Sequence, residues 1–207
     1  MGAGNLETDG AVVFPMSSAL KSRMVHLEAY VDDKEFIHTA ETLLNFDYRI
    51  TSYLNFRPDH VYTFDPEADD YNYAAPRTWE FVHNTLAVVK NLESAHLPLL
   101  GGTLGKGVSR EFFAFCEVHD RLPKIEDILR SPLTAKVPDE PSVLYALAGA
   151  FSAHVTSANV SAFSEYVGRM PPEFQIVTVR STIRRNKALL KETPMKQWIV
   201  KFADELM

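Results

Sequence analysis

Hydrophobic positions along this chain fall mostly at helical spacing. Phe36, Ile37, Ala40, Leu43 and Leu44 make one stripe behind the Asp32–Asp33 pair, which predicts a capped helix from there through Leu44. Asp47 heads a second helix with Ile50, Tyr53 and Leu54 facing inward, and the Arg57-Pro58 step ends it. A longer helix starts at Pro76, where a missing N–H costs nothing, with Phe81, Val82, Thr85, Leu86 and Val89 as its apolar face. Further helices are expected around 108–119, 124–130, 140–155, 159–169, 171–190 and 194–206. The 140–155 segment is apolar nearly all round and belongs at the centre. Only the beginning differs. Ser17–Ser18 cap a short helix ending near Arg23, and Met24–Tyr30 alternates apolar and polar residues, which predicts a strand. Residues 58–76 read as a polar loop with an acidic run at 65–70, and loops this long usually have a task.

Composition adds limits. The chain has 207 residues, 46% of them apolar, which suffices for a core and for one or two domains. A net charge of −6 argues against a general nucleic-acid coat or a membrane-surface binder. No apolar run nears the roughly 18 residues of a membrane span. The opening MGAGNLETDG has neither the basic flank nor the apolar stretch of a signal peptide. A single cysteine, Cys116, allows no internal disulfide and suits a reducing compartment. A cytoplasmic protein without a membrane partner is the expectation. The charge is uneven: residues 1–100 hold 7 basic and 15 acidic residues, and residues 101–207 hold 14 and 12.

Most motifs for autonomous chemistry are missing. Leu100-Gly101-Gly102-Thr103-Leu104-Gly105-Lys106-Gly107 is close to G-x-x-x-x-G-K-[ST] but has Leu100 in place of the first Gly and Gly107 in place of the Mg²⁺-holding hydroxyl, so it reads as a helix-breaking loop. The seven histidines include no pair at i, i+4 spacing, and no C-x-x-C occurs, so no metal site is expected. Arg180, Arg184, Arg185, Lys187 and Lys191 cluster without an intervening acid, and four of them share a helical face by spacing. Such a run is ordinarily a solvated face, and otherwise a patch for an acidic partner or nucleic acid. Nucleic acid is disfavoured, since no aromatic residue lies between Phe174 and Trp198 for base stacking.

Two motifs point further. The first is Gly4-Asn5-Leu6-Glu7-Thr8-Asp9-Gly10, followed by Phe14-Pro15-Met16-Ser17-Ser18-Ala19-Leu20-Lys21-Ser22-Arg23-Met24. The second is Ala75-Pro76-Arg77-Thr78-Trp79-Glu80 at the head of the long helix. In order and spacing they resemble the second half of MoxR-like AAA+ ATPases, the second motif matching a Pro-Arg-[Ser/Thr]-Trp-Glu signature of a bacterial and phage branch. Gly102–Phe112 and Pro138–Leu147 resemble segments that follow this signature, so the likeness runs from residue 2 to about residue 160.

The resemblance implies a mainly α chain: the remnant of an α/β AAA+ core at residues 1–31, a helical lid at 32–160 and additional helices at 161–207. It implies that Asn5 is sensor 1, orienting the attacking water, and that Arg23 is an arginine finger reaching a neighbouring subunit's ATP. Arg77 would be sensor 2, touching the phosphates of its own subunit. A guanidinium suits both roles because its planar fork meets two phosphate oxygens at once. The P-loop strand and the acidic strand that holds Mg²⁺ would lie before residue 1, so this chain alone is expected not to hydrolyse ATP. Implied partners are neighbouring ATPase subunits or a P-loop half, and a protein client to be remodelled. Taken singly, each residue also fits an ordinary role: Asn5 a turn, Arg23 a cation at a helix C-terminus, Arg77 a surface arginine. The competing class is a helical adaptor that binds no nucleotide, and after it a nucleic-acid-contacting module.

Overall fold

The computed structural model describes Gly4 and residues 13–68, 71–89 and 91–203. Those residues are mainly helical and contain no strand. Eleven α-helices follow in order: α1 Ser18–Lys21, α2 Asp33–Thr42, α3 Tyr48–Phe56, α4 Pro76–Val88, α5 Leu97–Leu104, α6 Lys106–Asp120, α7 Ile125–Arg130, α8 Pro141–His154, α9 Val160–Val167, α10 Pro172–Arg185 and α11 Thr193–Lys201. Local chemistry sets several boundaries. Ser17, Asp32 and Asp47 each accept a backbone N–H with the side chain at the starts of α1, α2 and α3. Proline occupies the first turn of α4, α5, α8, α10 and α11.

Two hydrophobic clusters make the interior. One gathers α2–α6 around Tyr53, Trp79 and Phe112. The other gathers α7–α11 around Phe151, Phe163 and Tyr166, so it joins residues on both sides of residue 160. Tyr145 and Leu122 pack against both. Helix α8 runs between α3 and α10, with Leu144 and Ala146–Ser152 all buried, which fits its apolar circumference. Its approach to α3 is possible because residue 149 is glycine. A Cβ there would stand 2.6 Å from the Ser52 side chain.

Several expectations change. Met24–Tyr30 is not a strand: it belongs to no ladder, and its side chains are exposed. Alternation favours a strand only when a neighbour supplies the ladder, and no described residue does. The glycines at 101 and 102 do not break a helix but lie inside α5. The break comes at Gly105 alone, where φ is +81°. The helix expected over 171–190 ends at Arg185, and Lys187–Lys191 continues as a 3₁₀ turn with Asn186 capping Ala188. The shared basic face assumed for Arg180 through Lys191 therefore does not form.

Candidate functional site

Arg77 is the best placed of the three residues singled out. It sits exposed on the first turn of α4 and makes no hydrogen bond or ion pair with the described residues. The helix that carries it is anchored. Two residues on, Trp79 is fully buried, and its indole N–H donates to the His60 carbonyl at 2.9 Å. The Trp79 ring meets Phe112 edge-on at 5.4 Å, and Tyr53 lies 5.8 Å away. Just before the helix, Thr63 and Ala74 clasp the ends of the intervening loop. The Thr63 N–H donates to the Ala74 carbonyl at 2.9 Å, and the Ala74 N–H donates to the Thr63 hydroxyl at 3.0 Å. The Ala75 N–H donates to Thr78 Oγ1 at 2.8 Å. A long loop is thus converted into a defined entry for α4.

The clamp under this entry is polar. After α3, a 3₁₀ turn at Pro58–His60 buries the His60 ring. Arg57 Nη2 lies 2.8 Å from His60 Nε2, and since a guanidinium only donates, Nε2 accepts. The ring proton then sits on Nδ1 and donates to the Tyr53 hydroxyl at 2.6 Å. Arg57 also pairs with Asp59 at 2.9 Å and with Glu111 of α6. Burial, seconded by the Arg57 charge, holds His60 below the ordinary histidine range, while Asp59 and Glu111 pull the other way. Burial pushes the Tyr53 phenol well above its usual value. The ring is therefore a neutral, positioned link between Tyr53 and Arg57, while the His60 carbonyl holds Trp79 of α4 and Arg57 reaches α6. Sequence reading missed this set, because its members come from positions 53–60, 79 and 111 and only folding brings them together.

A cavity of about 400 Å³ opens beside the α4 entry, bounded by Phe64, Asp65, Asn72, Tyr73, Gly105 and Lys106. Phe64 and Tyr73 have ring centroids 4.8 Å apart. At its edge a Cβ on residue 105 would stand 2.8 Å from the Asn72 carbonyl, so the α5–α6 corner closes on the loop only with glycine there. Arg77 does not line this cavity.

The other assigned residues stand apart. Asn5 lies outside the described residues. Arg23 is exposed beyond the end of α1 and donates from Nη1 to the Ala19 carbonyl at 2.6 Å, the bond of a cation at a helix C-terminus. None of residues 14–31 is buried. Among the described residues no group of His, Cys, Asp and Glu is arranged to hold a metal ion. No helix among them is long and apolar enough to cross a membrane.

Two members of the basic cluster turn inward. Arg184 pairs with Glu41 of α2 at 3.0 Å, and the Glu41 carboxylate, almost fully buried, also accepts from Ser181 at 3.0 Å and Asn55 at 3.1 Å. Arg185 donates to the Phe46 carbonyl at 2.9 Å and to Thr51 Oγ1 at 3.1 Å. These arginines bind α10 to α2 and α3, so neither the solvated face nor the nucleic-acid patch describes them. Close by, Asp47 caps α3 and holds Arg49 by two side-chain bonds of 2.8 and 2.9 Å. Burial raises the Asp47 carboxyl, but the Arg49 bonds and charge outweigh it and leave it below the usual carboxylate range.

Compared with family models, with curated proteins and with solved structures, the chain matches none.

Proposed function

We propose that this chain is the C-terminal portion of a MoxR-like AAA+ ATPase that acts on ATP together with a P-loop half, coupling hydrolysis to remodelling of a protein client. The observation that carries the reading is the presentation of Arg77. A guanidinium without a partner among the described residues stands at a helix N-terminus, where partial positive charge also favours an anion, and a buried tryptophan and a hydrogen-bonded loop clasp hold that helix in place. A phosphate sensor needs such an anchored backbone, from which its fork can reach developing charge. The exposed segment around Arg23, together with the alternating, unpaired Met24–Tyr30, fits the end of an α/β core whose remaining strands lie in the other half. In this reading Asn5 orients the attacking water, Arg23 serves the neighbouring subunit's ATP, and Mg²⁺ is held by the P-loop half. The adaptor reading draws on Phe14, Val25, Leu27 and Tyr30, which are more than four-fifths exposed and would suit a docking strand.

The test is to supply a P-loop half and measure ATP hydrolysis and nucleotide affinity. Arg23→Ala is expected to lower turnover by about a thousandfold with nucleotide still bound. Arg77→Ala is expected to weaken nucleotide affinity. Hydrolysis unchanged by Arg23→Ala rejects the finger, and no effect of ATP on melting with the P-loop half present favours the adaptor.

A further inference from the structure

A second and larger cleft, of about 640 Å³, lies between the loop ahead of α4 and the α5–α6 corner. Helix α5 supplies an apolar floor from Leu97 and Pro98, and Tyr71 stands fully exposed at the rim. Helix α6 supplies Lys106 and Arg110, four residues apart and so on one face. Both are exposed, and neither side chain makes a hydrogen bond or ion pair with the described residues. Glu111, next in sequence to Arg110, is engaged with Arg57. No carboxylate belongs to a described residue lining the cleft.

Gly102 also lines the cleft. It lies inside α5, where glycine is costly relative to alanine, and a Cβ there would meet nothing within 4 Å. A side chain added there would project into open space at the cleft.

We propose that the Lys106–Arg110 cleft binds a short acidic peptide segment of a partner protein. One apolar side chain rests on Leu97 and Pro98, and flanking carboxylates meet the two cations. The size falls in the range of ligand clefts. A nucleic-acid strand fits less well, because among the described residues only Tyr71 offers the cleft an aromatic ring for base stacking. A free phosphate would leave the apolar floor unused. The proposal goes beyond the nucleotide reading and does not depend on it.

The test uses the full chain and a fluorescein-labelled octapeptide of glutamate and aspartate around a central leucine, followed by fluorescence anisotropy. Saturable binding is expected, weakening with salt. The double variant Lys106→Glu/Arg110→Glu should raise Kd by about tenfold or more, and serine in place of the central leucine should do the same. Gly102→Leu should block binding without lowering the melting temperature or helical circular dichroism, since its side chain enters open space. An unchanged Kd in either variant overturns the proposal. So does tighter binding of a thymidine octanucleotide than of the peptide, or no binding at millimolar concentration.

Discussion

The two arginines assigned to nucleotide differ in how they are held. Arg77 rides on α4, which is locked by a fully buried Trp79, a carbonyl from the His60 turn and a two-bond clasp across the preceding loop. Arg23 lies beyond a four-residue helix in a stretch without a buried side chain, and its guanidinium bonds to its own helix end. The first position is built by this chain. The second is not built by the described residues around it, which under the proposed reading leaves its placement to another subunit. The difference teaches that similar motif strength does not mean similar structural support. Preorganisation comes from burial and hydrogen bonding around a residue, not from the residue itself.

The strongest way to break the comparison is to remove its anchor. Trp79→Ala should cost about 3–5 kcal/mol in urea unfolding through the cavity it leaves. Deleting residues 13–31 should change stability by less than about 0.5 kcal/mol, as exposed segments do. Comparable losses from both would show that the segment packs on the helical body after all.

A somewhat smaller effect is expected at the tie between the two cores. Arg184→Met leaves the Glu41 carboxylate buried beside Ser181 and Asn55 without its cation, which should cost about 2–3 kcal/mol, below the full value of a buried pair because Arg184 is partly exposed. The double variant Glu41→Leu/Arg184→Met should recover most of this loss in the same urea unfolding measurement. Failure to recover would mean that the carboxylate itself specifies the packing of α2 on α10.

The smallest effect sharpens the account of the α4 clamp. The folded chain holds His60 below its ordinary value of 6.5, so the unfolded chain takes up a proton that the folded chain resists. Stability is full above about pH 6.5 and declines as pH falls through the folded value. His60→Gln should flatten that decline between neutrality and mild acid, read as the melting temperature against pH. An identical slope in wild type and variant would remove His60 as its cause. The Asp47 contribution is separate, since a depressed carboxyl loses its stabilisation only at more acid pH, below the ordinary carboxylate value of 3.8.

Much of the helical frame was legible in the residues. Asp32, Asp47 and Ser17 announced helix starts because a short side-chain oxygen beside a bare N–H is a local interaction, and Pro76 worked the same way. The apolar circumference of 140–155 correctly put α8 at the centre. Where reading failed, distance in sequence was the cause. The alternation at 24–30 implies a strand only if a partner exists. The spacing of Arg180 through Lys191 implies a face only if the helix continues, and Asn186 ends it. Of the candidate site, Arg77 and its tryptophan anchor stood out as a motif, while Tyr53, His60, Arg57 and Glu111 did not.

The sequence by itself determined that this is a mainly helical chain with a central apolar helix, a long polar loop and arginines at two helix ends. Those properties follow from periodicity and capping, which operate within a few residues. Tertiary structure alone decided that Arg184 and Arg185 bind helices together, that His60 is a neutral link under α4, and that Lys106 and Arg110 face a cleft with no carboxylate among its described lining residues. Each of those outcomes depends on which group lies opposite, and desolvation and charge pairing act through space rather than along the chain.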